Sequence, residues 1–374
     1  MTSIYLDYNA TSPLDKEVLE IMLPYLTDNF ANAMSFHSFG QNAAKGLEQA
    51  RSQVAALFNC LPNEVVFTGG GTETNNYVIR GVARSRRHLG NHIITTQIEH
   101  PSIIKCCKEL ESEGFETTFL PVNNVGQIDI DLLEKSITDK TILISVMHAN
   151  NEVGTIQPIS EIGAIAHKKG IYFHTDTAQS VGKLPIDVQK MNIDMLTVAA
   201  HKFYGPKGIG ALIIREGIEI APYLLGAGHE GGRRAGTVNV AGAVGLGKAC
   251  EIAKNKGESI IASVKAKRDR FYKIITDSLS NVSLNGHPLE RLPNTLNLSF
   301  RGCDGQKLLI ATDIAASLGA ACHTTSRQPS SVLTAMGVSA EDALGAIRFS
   351  FGKFTSDEEI IEAANRIIKA VGDM

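Results

Sequence analysis

Residues 172–214 contain three short apolar runs, Tyr172-Phe173-His174-Thr175, Met195-Leu196-Thr197-Val198 and Ile209-Gly210-Ala211-Leu212-Ile213-Ile214. Each run is rich in β-branched or aromatic residues and gives way to polar or glycine-containing sequence, which is typical of buried strands. Upstream, four more runs of this kind occur, at 65–67, 92–96, 117–120 and 141–147. Helical patterns separate several of the runs, including those over 101–113 and 159–169. This alternation predicts an α/β fold with a seven-stranded, mainly parallel sheet covered by helices.

A second, smaller region is expected after the glycine-rich segment 226–236. Helical patterns lead into it over 240–254 and 258–278, and it contains two predicted strands and a closing helix, at 295–300, 346–351 and 356–371. Near the other end of the chain, residues 42–58 place apolar side chains at three- and four-residue spacing, which predicts an amphipathic helix. We therefore expect a large α/β domain over 16–255 and a small α+β domain formed by 1–15 with 256–374.

The composition excludes several classes of protein. The chain has 374 residues, with Lys+Arg 36 against Asp+Glu 39, so it has no global field for direct binding to nucleic acid or to an anionic membrane. Apolar runs fall short of the roughly 20 residues that span a bilayer, and the first residues lack a secretory pattern, so we expect a cytoplasmic protein. The six cysteines form no CxxC pair and are expected to be reduced thiols.

Two glycine-rich turns are candidate anion sites. Gly69-Gly70-Gly71-Thr72 follows a predicted strand and opens a helix, where unpaired N–H groups and the Thr72 hydroxyl suit a phosphate. An ordinary strand-to-helix turn with a threonine cap is the alternative. Residues 226–231 match G-x-G-x-x-G, but they do not open the first strand–helix–strand unit. We interpret them instead as a turn that presents Arg234, Gly236 and Thr237 to an anion.

Asp176 and Lys202 each follow a predicted strand, in His174-Thr175-Asp176-Thr177-Ala178-Gln179 and Ala200-His201-Lys202. Both are expected at one edge of the sheet, where open α/β sheets bind ligands. An amine and a carboxylate held there suit pyridoxal phosphate, with the lysine as the Schiff-base residue and the aspartate on the pyridine nitrogen. The alternative is a strand-end cap and a solvated lysine. The spacing of His174, Asp176, His201 and His229 fits no metal signature, so we expect no metal.

In combination, these motifs resemble the cysteine desulfurases, which are fold-type-I pyridoxal-phosphate enzymes of the class V aminotransferase group. The resemblance extends over nearly the whole chain, and its motifs are Asp7-Tyr8-Asn9-Ala10-Thr11, Thr72, Glu99-His100, Asn150-Asn151-Glu152-Val153-Gly154, Asp176 with Gln179, His201-Lys202, Gly205-Pro206-Lys207-Gly208 and Arg348-Phe349-Ser350-Phe351-Gly352. It implies the fold of type-I pyridoxal-phosphate transferases.

The resemblance also implies a role for each site residue. Lys202 would bind the cofactor covalently, Asp176 would partner the pyridine nitrogen, and Gln179 with Asn151 would hold the ring hydroxyl. His100 would stack on the ring and move protons. The phosphate would be held by Gly71, Thr72 and His201, and by Thr237 from the second subunit of a homodimer. The substrate carboxylate would be bound by Arg348, with Asn151 also contacting the substrate.

Cys322 lies in the small, polar stretch Ser317 to Ser330, which predicts an exposed loop with an accessible thiol. In the family, the equivalent cysteine takes sulfur from L-cysteine as a persulfide, leaving L-alanine, and passes the sulfur to an acceptor protein. The alternative for Cys322 is a small packing residue, which is our interpretation of the other five cysteines.

Three positions depart from the desulfurase pattern. Ala199 stands where many members have a phosphate-binding serine, and the segment 31–35 lacks the usual proline. His323 after Cys322, together with Gln328-Pro329-Ser330, resembles the selenocysteine lyases, so a selenocysteine lyase is the alternative activity. An ordinary aminotransferase and a catalytically inert scaffold also remain open, since fold and cofactor alone do not fix the reaction.

Overall fold

The structure is a computed structural model that describes residues 3–318 and 329–373. The strands are β1 (Ile4–Tyr5), β2 (Val65–Thr68), β3 (His92–Thr96), β4 (Glu116–Leu120), β5 (Thr141–Ser145), β6 (Tyr172–Asp176), β7 (Met195–Ala199), β8 (Gly210–Ile214), β9 (Val282–Asn285), β10 (Thr295–Phe300), β11 (Ile314–Ala315) and β12 (Ala346–Ser350). The helices are α1 (Lys16–Thr27), α2 (Ser38–Phe58), α3 (Gly71–Arg86), α4 (Pro101–Glu111), α5 (Ile130–Ser136), α6 (Ile159–Lys169), α7 (Val240–Ser278), α8 (Gly305–Thr312), α9 (Ser331–Ala335), α10 (Ala340–Leu344) and α11 (Asp357–Gly372).

The large sheet has seven strands in the order β2-β8-β7-β6-β5-β3-β4, which confirms the predicted fold class. All neighbouring pairs are parallel except those made by β8, which runs antiparallel to both β2 and β7. The ten residues between β7 and β8 are too few for a helical crossover, so the chain returns in the opposite direction. The carboxyl ends of the parallel strands therefore share one edge.

Helices cover both faces of this sheet because adjacent strand residues point to opposite sides. Ile94, for example, packs in the hydrophobic cluster that includes α2, α6 and the first half of α7. Its neighbour Ile93 packs in the cluster of the other face, with α3 and α4. The result is a three-layer α/β/α arrangement, which leaves the ends of the strands free to carry a site.

The C-terminal region carries its own hydrophobic cluster, built from β1, the second half of α7, β10, β12 and α11. Its strands form a three-stranded antiparallel sheet, β12-β10-β9, and β1 pairs with β11.

The predicted helices over 240–254 and 258–278 are wrong in one respect, since α7 is a single helix of 39 residues. Gly257 lies inside it, and one glycine in a helix costs only about 1 kcal/mol. The domain boundary at 255 falls within this helix, and the domain division stays a prediction.

Over residues 3–318 and 329–373, every helix is either too short or too polar to cross a bilayer.

Candidate active site

A cavity of about 330 Å³ opens at the carboxyl edge of the large sheet, beside the first turn of α3. Open α/β sheets bind their ligands at this edge. A second hollow, of about 460 Å³, lies between α2 and residues 229–238 and is lined by other side chains. The predicted site residues that line the first cavity are Gly71, Thr72, His100, Asn151, Asp176, Gln179, His201, Lys202 and Arg348.

Lys202 ends a short 3-10 turn that follows β7. Its Nζ donates to the carbonyl oxygens of Asn9 at 2.7 Å and Ala10 at 2.9 Å. Burial lowers the pKa of this amine to about 8, and the Arg348 cation adds to the effect while the carboxylates of Asp176 and Asp7 oppose it. A larger share of the amine is therefore neutral near physiological pH than in an ordinary lysine, and the neutral amine is the nucleophilic form.

Asp176, the last residue of β6, is held by two donors. Its Oδ2 accepts from Asn75 Nδ2 at 2.7 Å, and its Oδ1 accepts from the backbone N–H of Ala178 at 2.8 Å. Asn75 lies one turn into α3, on the same face as Gly71. The carboxylate is thus fixed at the cavity by the helix that also forms the glycine-rich corner.

His100 caps α4 through its ring. Nδ1 lies 3.2 Å from the backbone nitrogen of Ser102 and 2.8 Å from its Oγ. Because a backbone N–H can only donate, Nδ1 accepts, and the neutral ring carries its proton on Nε2. Burial lowers the pKa of His100, Asp176 opposes that effect, and Lys202 adds to it. The ring is therefore neutral at physiological pH, with its Nε2–H edge as the remaining donor.

Gly70 and Gly71 shape the corner of the cavity where α3 begins. Gly70 has a φ of 137° and provides no side-chain cap, so N–H groups of the first turn remain for another acceptor. A Cβ atom added to Gly71 would lie 3.5 Å from the Cβ of Ala199, which closes the corner from β7. Thr72 and His201 add polar side chains to the lining. This donor-rich corner has the chemistry of a phosphate site.

Arg348 reaches the cavity from β12. Its Nη2 donates to Asp7 Oδ1 at 2.7 Å and its Nη1 to the backbone oxygen of Asn151 at 3.0 Å. The side chain is almost fully buried, with 6% of its surface exposed. Two anchors therefore hold the guanidinium plane in place, which suits recognition of a planar anion.

Gln179 lines the cavity beside Lys202. Its Nε2 donates to the carbonyl oxygen of Asn9 at 3.0 Å, the same oxygen that accepts from Lys202 Nζ at 2.7 Å. Asn9 also donates through Nδ2 to the backbone oxygen of Asn151 at 3.2 Å. The N-terminal segment thus connects residues from the loops after β5, β6 and β7.

Two buried ionisable side chains lie close behind the cavity. Glu99 Oε1 accepts from Thr96 Oγ1 and from the backbone N–H of Met147, both at 2.9 Å. Burial raises the pKa of Glu99 to about 8, so the group is mostly protonated at pH 7 and adds little charge. His174 bridges the hydroxyls of Ser145 and Thr197, and burial lowers its pKa to about 3. Both residues organise the sheet beneath the site.

Two predicted site residues are not placed at the cavity. Thr237 is exposed and lies apart from it within one chain, so its predicted role depends on a second copy and stays a prediction. Arg234, expected to face an anion, instead pairs with Glu73 through Nε at 2.9 Å and Nη2 at 3.1 Å. Cys322 lies outside the described residues.

The residues that flank this segment do lie beside the site. Ser317 pairs with Arg348 through both backbone groups, at 2.7 and 3.1 Å. At the other end, the Ser330 hydroxyl donates to Glu152, the residue after Asn151. The chain that carries Cys322 therefore leaves and re-enters the described structure close to the cavity.

The other cysteines have buried or half-buried thiols. Burial raises the pKa of Cys60 to about 12 and that of Cys106 to about 11, and it also raises the pKa of Cys107, Cys250 and Cys303. Thiolate formation is suppressed at these positions, so they are poor nucleophiles. This agrees with their interpretation as packing residues.

Four polar residues of the site were not assigned a role from the sequence: Asp7, Asn9, Asn75 and Ser102. Asp7 and Asn9 belong to a motif that carried the resemblance, but their side-chain partners are distant in sequence. Asn75 had a usable signal, because it follows Gly71 by one helical turn and must share its face.

The residues present fit pyridoxal phosphate. Lys202 supplies a partly neutral amine, Asp176 a fixed carboxylate in the same cavity, and the start of α3 a donor-rich corner. These are the groups that an aldehyde, a pyridine nitrogen and a phosphate require.

A family model described as aminotransferase class-V matches residues 4–362. The cysteine desulfurase IscS of Dictyoglomus turgidum is 45% identical, over 98% of this chain and 94% of its own. That of Methanosarcina thermophila is also 45% identical, over 100% of this chain and 93% of its own.

Solved structures show the same likeness. A NifS-like protein superposes with a TM-score of 0.94 at 34% identity, covering 100% of both chains. A structure described as SspA in complex with cysteine has a TM-score of 0.84 at 39% identity, covering 95% of this chain and 100% of the other.

Proposed function

The chain belongs to the class-V aminotransferase family, and on that premise we propose that it is a pyridoxal-phosphate-dependent cysteine desulfurase. It converts L-cysteine to L-alanine and transfers the sulfur to Cys322. In the net step, a carbon–sulfur bond of the substrate and the S–H bond of the enzyme thiol break, while a carbon–hydrogen bond and a sulfur–sulfur bond form. No external oxidant or reductant is needed, because the two-electron oxidation of sulfur to the persulfide is balanced by reduction of the substrate β-carbon to the methyl group of alanine.

One observation carries this proposal: Lys202, Asp176 and Arg348 face a single cavity at the carboxyl edge of the sheet. The first two residues fit the cofactor, and the third fits the carboxylate of an amino acid. The relatives named as cysteine desulfurases and the neighbour described with cysteine support cysteine as that amino acid.

The cofactor is held by residues whose contacts are already arranged. Lys202 binds it covalently, and Asp176, oriented by Asn75, pairs with the pyridine nitrogen. Gln179 and Asn151 hold the ring hydroxyl. In the corner of the cavity, the first-turn N–H groups at Gly71 bind the phosphate together with the side chains of Thr72 and His201. When bound, pyridoxal phosphate supplies an electron sink that makes bonds to the α and β carbons of an amino acid labile.

His100 and Arg348 act on the substrate side. The neutral His100 ring lines the cavity, where it stacks on the cofactor ring and moves a proton. Arg348 binds the substrate carboxylate, and its ties to Asp7 and Asn151 keep its plane fixed. Asn151 adds a contact to the same end of the substrate.

Cys322 is the proposed sulfur acceptor of the enzyme. Its support is the position of Ser317 and Ser330, which lie beside Arg348 and Glu152, on either side of its segment. The raised pKa values of Cys60 and Cys106 make those thiols unsuitable for the task. From Cys322, sulfur passes to an acceptor protein.

We also propose a homodimer in which Thr237 of one chain completes the phosphate site of the other. Its support is a set of exposed apolar side chains just before α2, with exposures of 70% for Phe30, 69% for Met34 and 91% for Phe36, and a further one, Leu225 at 82%, in the segment that leads to Thr237. Monomeric proteins rarely expose several large apolar side chains in one contiguous patch, and such patches mark interaction surfaces. A cytoplasmic location completes the proposal.

The test of this function is peptide mass analysis after the holoenzyme has reacted with L-cysteine in the absence of reductant. The peptide that contains Cys322 should gain the mass of one sulfur atom, and the peptide that contains Cys303 should not. Cys303→Ala is the matched control and should leave the modification in place. A holoenzyme that releases alanine but never modifies Cys322 would refute the assigned sulfur acceptor.

A further inference from the structure

Lys183 is a cation close to the site that the proposed function leaves unused. It lies in the turn after β6, seven residues beyond Asp176, and is half-buried. A small hollow of about 20 Å³ is lined by both Lys183 and Lys202, together with Tyr8 and Phe351. The two lysines therefore lie on the same small hollow.

Within residues 3–318 and 329–373, the amine of Lys183 has one side-chain hydrogen bond, to Gln179 Oε1 at 3.3 Å. At its other end, Gln179 Nε2 donates to the carbonyl oxygen of Asn9 at 3.0 Å, and that oxygen also accepts from Lys202 Nζ at 2.7 Å. The four groups form a continuous chain from Lys183 to Lys202.

These hydrogen bonds set the orientation of the Gln179 side-chain amide. A glutamine side chain has one end that accepts and one that donates, and the two are nearly equal in shape. An ammonium group can only donate, so Lys183 in its protonated form requires the oxygen of Gln179 on its side, and the carbonyl of Asn9, which can only accept, favours the same orientation. The NH₂ group must then face Asn9 and the cavity, which is the orientation needed to donate to a ring hydroxyl.

The charges around the two lysines make this hydrogen-bonded arrangement sensitive to pH. Burial lowers the pKa of Lys183 to about 7, with Lys202 and Arg348 adding to the effect. The carboxylates of Asp7 and Asp176 face Lys202 from the N-terminal segment and from β6. The nearby tyrosines are neutral, since burial raises the pKa values of Tyr8 and Tyr204.

We propose that Lys183 is a positioning residue that fixes the amide of Gln179, and through it the carbonyl of Asn9 and the amine of Lys202. The inference rests on the proposed cofactor and assigns to Lys183 no contact with cofactor or substrate. Its predicted effect therefore passes entirely through Gln179.

The test is a pH titration of the visible absorption band of the holoenzyme, which reports protonation of the lysine-bound cofactor. Lys183→Met should raise the midpoint by about one pH unit, a tenfold change in the protonation constant, because the ring hydroxyl loses its oriented donor. Lys183→Arg, which keeps a donor at this position, should restore most of the change. Lys190→Met, at a lysine whose side chain is 84% exposed, is the control and should leave the midpoint unchanged.

A double-mutant cycle separates the proposed route from a direct effect of charge. In a Gln179→Ala background, Lys183→Met should produce no further change, because the residue that it positions is gone. A fully additive effect would show that Lys183 acts as a cation on its own and would overturn the inference. An unchanged midpoint in folded Lys183→Met would overturn it as well.

A further variant covers the case in which Lys183→Met does not fold. Gln179→Glu keeps an acceptor for Lys183 but removes the donor to Asn9, so it should raise the midpoint in the same direction. No change in this variant would overturn the inference. Alanine formation from L-cysteine by the unaltered holoenzyme is measured in parallel. A holoenzyme with a normal titration and no alanine would refute the desulfurase function while leaving the role of Lys183 to be decided by the cycle.

Discussion

Asn75 Nδ2 donates to Asp176 Oδ2 at 2.7 Å, and the same nitrogen donates to Ser102 Oγ at 2.8 Å. Ser102 in turn contacts Nδ1 of His100. One asparagine on α3 therefore orients both the carboxylate assigned to the cofactor nitrogen and the imidazole assigned to proton movement. The connection lies within the protein, so it exists before any ligand binds.

Replacing Asn75 should loosen the cofactor. Asn75→Ala removes a hydrogen bond to a charged group, which is worth roughly 1.5 to 3 kcal/mol, so affinity for pyridoxal phosphate should fall on the order of 10- to 100-fold. Rebinding of the cofactor to apoprotein, followed by fluorescence, measures this effect. Asn124→Ala, at an exposed loop position, is the control. Equal affinities in the two variants would contradict the assigned role.

The rate at which Lys202 binds the cofactor should depend on pH as expected for a buried lysine with a lowered pKa. Burial lowers the pKa of Lys202 to about 8, and only the neutral amine attacks an aldehyde. The rate at which apoprotein forms the visible band should therefore rise with pH and level off above about 8, whereas an ordinary lysine would continue toward about 10.4. Lys202→Ala should form no such band. A rate that still climbs beyond pH 10 would show that the amine is not perturbed.

Substitution of Arg348 should affect the substrate more than the cofactor. Arg348→Lys keeps the charge beside Asp7 but loses the planar pair of donors, so the KM for L-cysteine should rise about tenfold or more. The visible band should remain unchanged. Absorbance measures the band, and initial rates measure the KM. Arg301→Lys, at an arginine whose side chain is 63% exposed, is the control. A loss of the cofactor with an unchanged KM would mean that Arg348 has the wrong assignment.

A buried ion pair fastens the segment that precedes Arg234 to the large sheet. Glu230 accepts from Arg51 Nη1 and Nη2 and from the backbone N–H of Phe67, each at 2.9 Å. Glu230→Ala would leave Arg51 charged and buried, and should lower the free energy of unfolding by about 3 to 5 kcal/mol.

Glu48 provides a matched control for this prediction, since it also pairs with Arg51 but has a side chain 64% exposed. Glu48→Ala should change stability by about 0.5 kcal/mol or less. Chemical denaturation of both variants gives the comparison. Similar losses in the two would show that burial does not control the strength of the pair.

Local sequence was sufficient for the seven strands of the large sheet and for bringing most predicted site residues to one cavity, but not for β1, β9 or β11. Short runs rich in β-branched residues predict buried strands such as β5 and β7. The polar residues at the carboxyl ends of these parallel strands then lie at the same edge of the sheet. The sequence alone therefore places Asp176 and Lys202 at the same edge of the sheet. The interruption at Gly257 predicted two helices where α7 is one, because packing on both sides outweighs the propensity of a single glycine.

Contacts between distant parts of the chain could not be predicted from the sequence. The bond from Arg348 to Asp7 spans 341 positions, and that from Glu230 to Arg51 spans 179. Neither pair leaves a periodic pattern, since each depends on how the two regions pack. Arg234 shows the same limit, because its expected anion proved to be the carboxylate of Glu73.

Alanine production from L-cysteine and from L-selenocysteine, by the holoenzyme and by Cys322→Ala, distinguishes a desulfurase that uses a Cys322 persulfide from a selenocysteine lyase. The proposed desulfurase should form alanine from L-cysteine, and Cys322→Ala should lose that activity while keeping its visible band. Turnover of L-selenocysteine alone, unaffected by Cys322→Ala, would rule out the desulfurase and establish a selenocysteine lyase in its place.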